Sequence, residues 1–265
     1  MSKNKKISDL ICDSAFEKRI GNGGNYCEET LGGLRIERVT VREDDGAFAS
    51  QMRSGRYVSI HSRDVCEMSL AEERELIDAI ARELSAFGGK EGKILAVGIG
   101  NPEFTADSLG QRFIEKINLR EGGRLCAIRA DVAERTGLDT SDLIASVCAT
   151  VKPSLVAVVD SLVTKSESRL SRTVQLSDGG ISPGSGLGAV KKEISKETLG
   201  FPVVAIGAPT VIDADLMLAD RLARFGEEAI SDGLFGGLLL TSHSVDFMVE
   251  RLAYVLARAV ESAFG

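Results

Sequence analysis

The sequence predicts an α/β protein: three layers, α/β/α, around a mostly parallel sheet, with an N-terminal β-containing elaboration over residues 34–62. Short apolar runs ending in glycine or aspartate alternate with amphipathic segments. "KILAVGIGN" passes into "TADSLGQRFIEKI", "TGLDTSDLIASVCATVKP" feeds "SLVAVVD", and "FPVVAIGAPTVID" leads into "ADLMLADRLARFGEEAI". Continuous apolar runs of this length read as strands buried on both faces, the signature of a parallel sheet between helices. No internal repeat, low-complexity tract or Pro-rich linker divides the 265 residues, so a single domain over 1–265 is expected.

In chain order, the first forty residues are polar and Gly-rich, and "RIGNGGNYCEETLGG" reads as loop. "LRIERVTV" and "GRYVSIHS" alternate at period two around the turn-like "REDDGAF", which predicts a hairpin or meander. "SLAEERELIDAIARELSAFGG" predicts a helix with Ser69 as N-cap, Glu72 completing a capping box and Gly88 at the stop. A helix is expected directly after the first buried run, from "TADSLG" onward. The next helix is expected to start near Thr140 or Ser141 and to break before Pro153. The C-terminal "SHSVDFMVERLAYVLARAVESAFG" is a long amphipathic helix.

The totals exclude several functions. With 43% hydrophobic and 27% charged residues the chain can build a sizeable core. A net charge of −7 without a basic stripe argues against a nucleic-acid partner, and the absence of tryptophan leaves little for base stacking. Five widely spaced cysteines with no C-x-x-C pair imply neither a disulfide framework nor a zinc ribbon, so a reducing cytoplasm is expected. There is no signal-like apolar stretch and no run long enough to span a bilayer, so no membrane partner is expected.

Two aspartates stand where an open α/β sheet places its ligands, past the carboxyl ends of strands. Asp107 follows the first buried run and Asp160 closes the second, 53 positions further on. Two acids sharing one site repel, which raises one pKa and leaves a protonated acid beside a charged base that can activate water. Helix-start or turn acids favoured by the helix dipole are the alternative reading. Asp178 reads as a turn residue or as a third carboxylate of the site. The glycines of "SPGSGLG", Gly184, Gly186 and Gly188, lack the G-x-G-x-x-G spacing and a following Lys-Ser/Thr, so a structural turn is favoured over a phosphate cradle. With only His61 and His243 available, a Ser or Cys triad has no base near the strand ends. Asp107, Asp160 and a histidine could hold a metal, but the ligand spacing is not clustered, and no cofactor or metal is expected. Lys165, Glu167, Arg169 and Arg172 form either a solvated face or substrate contacts.

Five segments, "GIGNPEFTADSLG", "TGLDTSD", "VVDSLVTKSESRLSRTVQLSDGGISPGSGLG", "SKETLGFPVVAIGAPTVIDA" and "LLLTSHSVDFMVERLA", occur in the order seen in the germination protease family of spore-forming bacteria. The chain resembles that family from about Asp9 to the C-terminal helix, most densely from Gly98 to Ala214. The resemblance implies an atypical aspartic endopeptidase with a fold like hydrogenase-maturation peptidases, acting on small acid-soluble spore proteins during germination in the spore core. It implies Asp107 and Asp160 as the catalytic pair, with Asn101, Ser182, Gly184, Ser185 and Gly186 lining the cleft. It also implies a zymogen and a homo-oligomer, tetrameric in the family. Residues 1–9 would be the pro-segment, cut between Asp9 and Leu10. This chain departs from the family in lacking a long insertion before "LLLTSHSVDF", in carrying Ser182 where a histidine is usual, and at Pro102 and Ala106. Two other readings remain: a non-catalytic binding or regulatory relative, and a maturation-type peptidase that reads a bound metal.

Overall fold

The structure, a computed structural model, describes residues 26–42, 53–182, 192–225 and 233–265. Their strands form one mixed nine-stranded sheet in the order β1-β2-β3-β7-β8-β6-β4-β5, with β9 paired to β8. Four strands make its parallel half: β4 (Ile94–Ile99), β5 (Leu125–Ala130), β6 (Leu155–Thr164) and β8 (Val203–Asp213). The antiparallel half contains β1 (Tyr26–Leu31), β2 (Leu34–Val41), β3 (Gly55–His61) and β7 (Thr173–Ser177); β9 (Leu239–Leu240) also runs antiparallel to β8. The expected elaboration contributes β2 and β3 to this sheet. It extends the same sheet through β7.

Helices cover both faces, as the continuous burial of β4, β6 and β8 requires. On one face lie α1 (Leu70–Ser85), α2 (Leu109–Lys116) and α7 (Val245–Phe264). Their Leu76, Ile80, Leu109, Phe113, Leu252 and Leu256 pack on Ala96, Ala157, Val159 and Ile206. On the other face, α4 (Thr140–Val151) and the single turn α5 (Lys196–Leu199) bring Ile144, Cys148 and Leu199 against Val97, Val156 and Val158. Fully burying one such side chain contributes about 1.5–3 kcal/mol, so these two layers supply the main hydrophobic stabilisation.

Local sequence explains the element ends. Ser69 and Glu72 exchange the two bonds of a capping box at the start of α1, and Ala86 caps its end before Gly88 and Gly89, both at positive φ. Asp139 accepts from the N–H groups of Ser141 and Asp142 and starts α4 at Thr140. The helix after β4 begins later than expected: Thr105–Asp107 form a 3₁₀ turn, and α2 opens at Leu109. A strand, β1, replaces part of the loop expected before residue 34. Neither β5 nor β7 is evident in the chain's periodicity. One further short helix, α3 (Ala133–Thr136), precedes α4, and α6 (Ala214–Arg224) follows β8 from an Asp213 cap. The turn expected within 42–48 and the end of the helix expected through residue 230 fall largely outside the described residues.

Candidate active site

The chain leaves β4 towards β5 on one side and returns to β6 on the other, using α2 on one face and α4 on the opposite face. The boundary between β4 and β6 is thus the topological switch point, where open α/β sheets form their ligand crevice at the carboxyl ends of the strands. Strand β4 ends at Ile99, whereas β6 runs on from its last pair with β4, Gly98–Val159, through Asp160 to Thr164. Asp160 and the turn carrying Asp107 flank this step.

Asp160 is neither a turn residue nor a helix cap. It lies inside β6, opposite Gly207 of β8, only 4% exposed, and its Oδ1 accepts from the N–H of Ser161 at 2.9 Å. Alternation along β6 sends its side chain to the α4 face, with Val156 and Val158. Asp107 is half-buried in the 3₁₀ turn, and its Oδ2 accepts from the N–H of Asn101 at 2.9 Å. Asn101 in turn accepts from the N–H of Glu103 through Oδ1. Asn101 thereby shapes the loop that holds Asp107.

Close approach of backbone fixes this loop. Gly100 has φ +132, and a Cβ there would meet the Asp107 carbonyl oxygen at 1.9 Å. Gly98 and Gly110 touch backbone to backbone, which seats the first turn of α2 directly on β4; a Cβ on Gly110 would also meet the Val159 carbonyl at 2.4 Å. Gln111, buried at 5% exposure, donates through Nε2 to the carbonyls of Gly100 and Ala130, joining the ends of β4 and β5. Neither Gln111 nor the Gly98–Gly110 contact is singled out by the sequence pattern. Ser161, next to Asp160, buries its hydroxyl oxygen with no hydrogen-bond partner among the described residues.

The other expected residues take varied places. Ser182 is half-buried, and its hydroxyl accepts from Arg53 Nη2 at 2.5 Å; Arg53 also pairs with Glu193 at 2.7 Å. Gly184, Ser185, Gly186 and Gly188 lie outside the described residues, as do Asp9 and Leu10. Asp178 accepts from the Arg56 N–H and pairs with its guanidinium at 2.7 Å, which fits the turn reading. Lys165 pairs with Asp220, Glu167 with Arg221, Arg169 with His61 and Arg172 with Asp64, so these charges tie the β6–β7 connection to its neighbours. His243 is exposed. The His61 side chain, 10% exposed, lies in the antiparallel half beside Glu37, away from the β4–β6 boundary. Among the described residues no group of three or more His, Cys, Asp and Glu side chains could hold a metal ion, and no helix is long and apolar enough to cross a membrane.

Comparison with known proteins shows the family. A family model described as germination protease matches residues 13–229. A germination protease of Bacillus velezensis is 37% identical over 240 residues, covering 82% of this chain and 65% of that protein. One from a Geobacillus species is 36% identical over 223 residues, covering 76% and 60%. One from Clostridium acetobutylicum is 29% identical over 297 residues, covering 90% and 91%. The chain thus spans 60–65% of the length of the first two relatives. Among solved structures, a [NiFe] hydrogenase maturation protease HycI from Thermococcus kodakarensis KOD1 aligns over 68% of this chain and 99% of its own at 19% identity, with a TM-score of 0.40, too loose a likeness to build on. On the extent of the family match, the chain belongs to the germination protease family.

Proposed function

We propose that the chain is an endopeptidase that uses Asp107 and Asp160 as a carboxylate pair to hydrolyse a protein substrate. The observation that carries the reading is the placement of both acids at the one switch point of the parallel half, on a chain of a protease family. One carboxylate takes a proton from water as the oxygen attacks the peptide carbonyl, and the other, protonated, gives its proton to the departing amine. The C–N bond breaks, and an acid and an amine leave. The two groups titrate as a pair, so the roles of acid and base belong to the pair rather than to either residue. Asn101, Ser182, Gly184, Ser185 and Gly186 are proposed as substrate-binding residues of the cleft.

By kinship with the germination proteases, the proposed substrates are small acid-soluble spore proteins. Residues 1–9 are proposed as a pro-segment ending at the Asp9–Leu10 bond, and a homo-oligomer, tetrameric as in the family, as the working form. Digestion of a purified small acid-soluble spore protein, read by mass spectrometry, tests the reading. Discrete cuts are expected from wild type trimmed at Leu10 and none from its Asp160→Asn form, with chelator leaving the cuts unchanged. Cuts abolished by chelator would favour a metal-reading peptidase, and an intact substrate throughout would favour a binding relative.

A further inference from the structure

We propose that Thr210 is a positioning residue for Asp107, and that the bulge in β8 holds the aspartate's turn against the sheet. The proposal rests on the two-aspartate reading and adds the device that sets one of its members.

Pro209 sits within β8 and has no N–H to give a ladder, and the register with β6 slips immediately after it: Leu162 pairs with Pro209 but Val163 with Val211. Thr210 is the extra residue, and it is completely buried. Its hydroxyl donates to the carbonyl of Ala106, the residue before Asp107, at 2.5 Å. Its own carbonyl accepts from the hydroxyl of Thr241 at 2.7 Å, which pins the bulge from the other side. The Ala106 methyl packs with Val163 and Val211, the first pair after the slip, together with Leu239 and Val245.

The backbone bonds within the turn, Phe104 to Asn101, Asp107 to Phe104 and Ser108 to Thr105, are all local. They set the turn's shape and leave its position on the sheet open. The Thr210 bond supplies that reference: it ties the turn to β8, and Val163–Val211 ties β8 to the strand that carries Asp160. A shift of about 1 Å in a catalytic group can cost about 100-fold in rate, so a fixed reference between the two strands matters.

The test uses the whole chain with Thr210→Val, Thr210→Ala and Thr210→Ser. Amide hydrogen exchange is followed by NMR at Asn101 and Asp107, with Ile80 of α1 as the reference. The Val and Ala forms are expected to exchange about tenfold faster at Asn101 and Asp107 with Ile80 unchanged, and the Ser form to restore protection. Unchanged exchange at both amides in the Val and Ala forms overturns the proposal, whether or not the protein cleaves anything. In the digestion assay the same two forms are expected to lose about 10- to 100-fold in kcat with KM unchanged, and Ser to recover it. Full kcat in Thr210→Val beside an inactive Asp160→Asn would sink the role of Thr210 alone, whereas an active Asp160→Asn would sink the reading beneath it.

Discussion

Glu37 in the antiparallel half and Asp160 in the parallel half occupy one row of the sheet. The register runs Glu37–Ser59–Gln175–Gly207–Asp160, so both carboxylates leave the same face, and they are 2% and 4% exposed. Glu37 sits mid-strand among side chains. Its carboxylate meets Arg35 and, at 3.2 Å, His61 Nε2; His61 Nδ1 lies within hydrogen-bond distance of Thr173 Oγ1 and Arg169 Nη1. A neutral His61 with its proton on Nε2 fits this arrangement, donating to Glu37 and accepting from Arg169. Asp160 lies at equal depth but at the strand boundary where β4 stops, beside the loop that presents Asp107. Burial of an acid is therefore not what marks the site. Position relative to the switch point distinguishes the two: Glu37 lies within the antiparallel half, and Asp160 at the β4–β6 boundary where open α/β sheets form their ligand crevice.

The largest difference between the two carboxylates is expected at the loop that holds Asp107. Gly100→Ala would put a methyl group 1.9 Å from the Asp107 carbonyl at a φ of +132, so the turn must move while Glu37 and its partners stay in place. Peptidase turnover is expected to fall about 100-fold, with urea unfolding shifted far less than activity. Wild-type turnover in this variant would show that the tight approach does not set the aspartate.

A smaller effect should appear in the Glu37 network. Burial alone would raise the Glu37 carboxyl, but the hydrogen bond from His61 and the charges of Arg35 and Arg169 outweigh it, so it is held below its ordinary value of 4.5. Burial pushes His61 below its ordinary 6.5, against the pull of Glu37. Both groups bind fewer protons folded than unfolded, so stability falls as pH falls, for His61 from about 6.5 downward and for Glu37 below about 4.5. The His61 part amounts to at most about 1.4 kcal/mol per pH unit. Urea midpoints at pH 7 and pH 5 should differ less in His61→Gln than in wild type; equal differences would deny that His61 is buried neutral.

The smallest expected effect is at α1, remote from either acid. Ser69→Ala removes the capping hydroxyl that accepts from Glu72 N–H and should cost about 1 kcal/mol in unfolding without touching turnover. A change in turnover would mean that α1 is coupled to the site.

Much of this organisation is legible in the chain, for physical reasons that vary by element. Strands β4, β6 and β8 are buried on both faces, so their apolar runs are uninterrupted, and the cap of α1 is written in Ser69 and Glu72. The five residues of β7 are too few to show a period, and β5 carries Arg129 within a half-covered edge. In β2 the alternation changes phase: Leu34 and Ile36 face one layer, Val39 and Val41 the other, and Glu37 is buried among the second set. That slip was the available sign that both faces of the meander are covered. Asp107 and Asp160 are visible as acids after apolar runs, but Gln111, Gly110 and Thr210 act through backbone that only the folded chain brings near. No period of two or 3.6 encodes such contacts.

The proposed pairing of Asp107 and Asp160 as one unit is decided by the kinetics of Asp107→Asn, Asp160→Asn and the double variant on a single protein substrate. Each single change is expected to lower kcat by about 100- to 10,000-fold, and the double change to lower it little further, because a pair that shares its protons is lost with either member. Losses that multiply in the double variant, or a single variant that keeps wild-type turnover, would contradict the account.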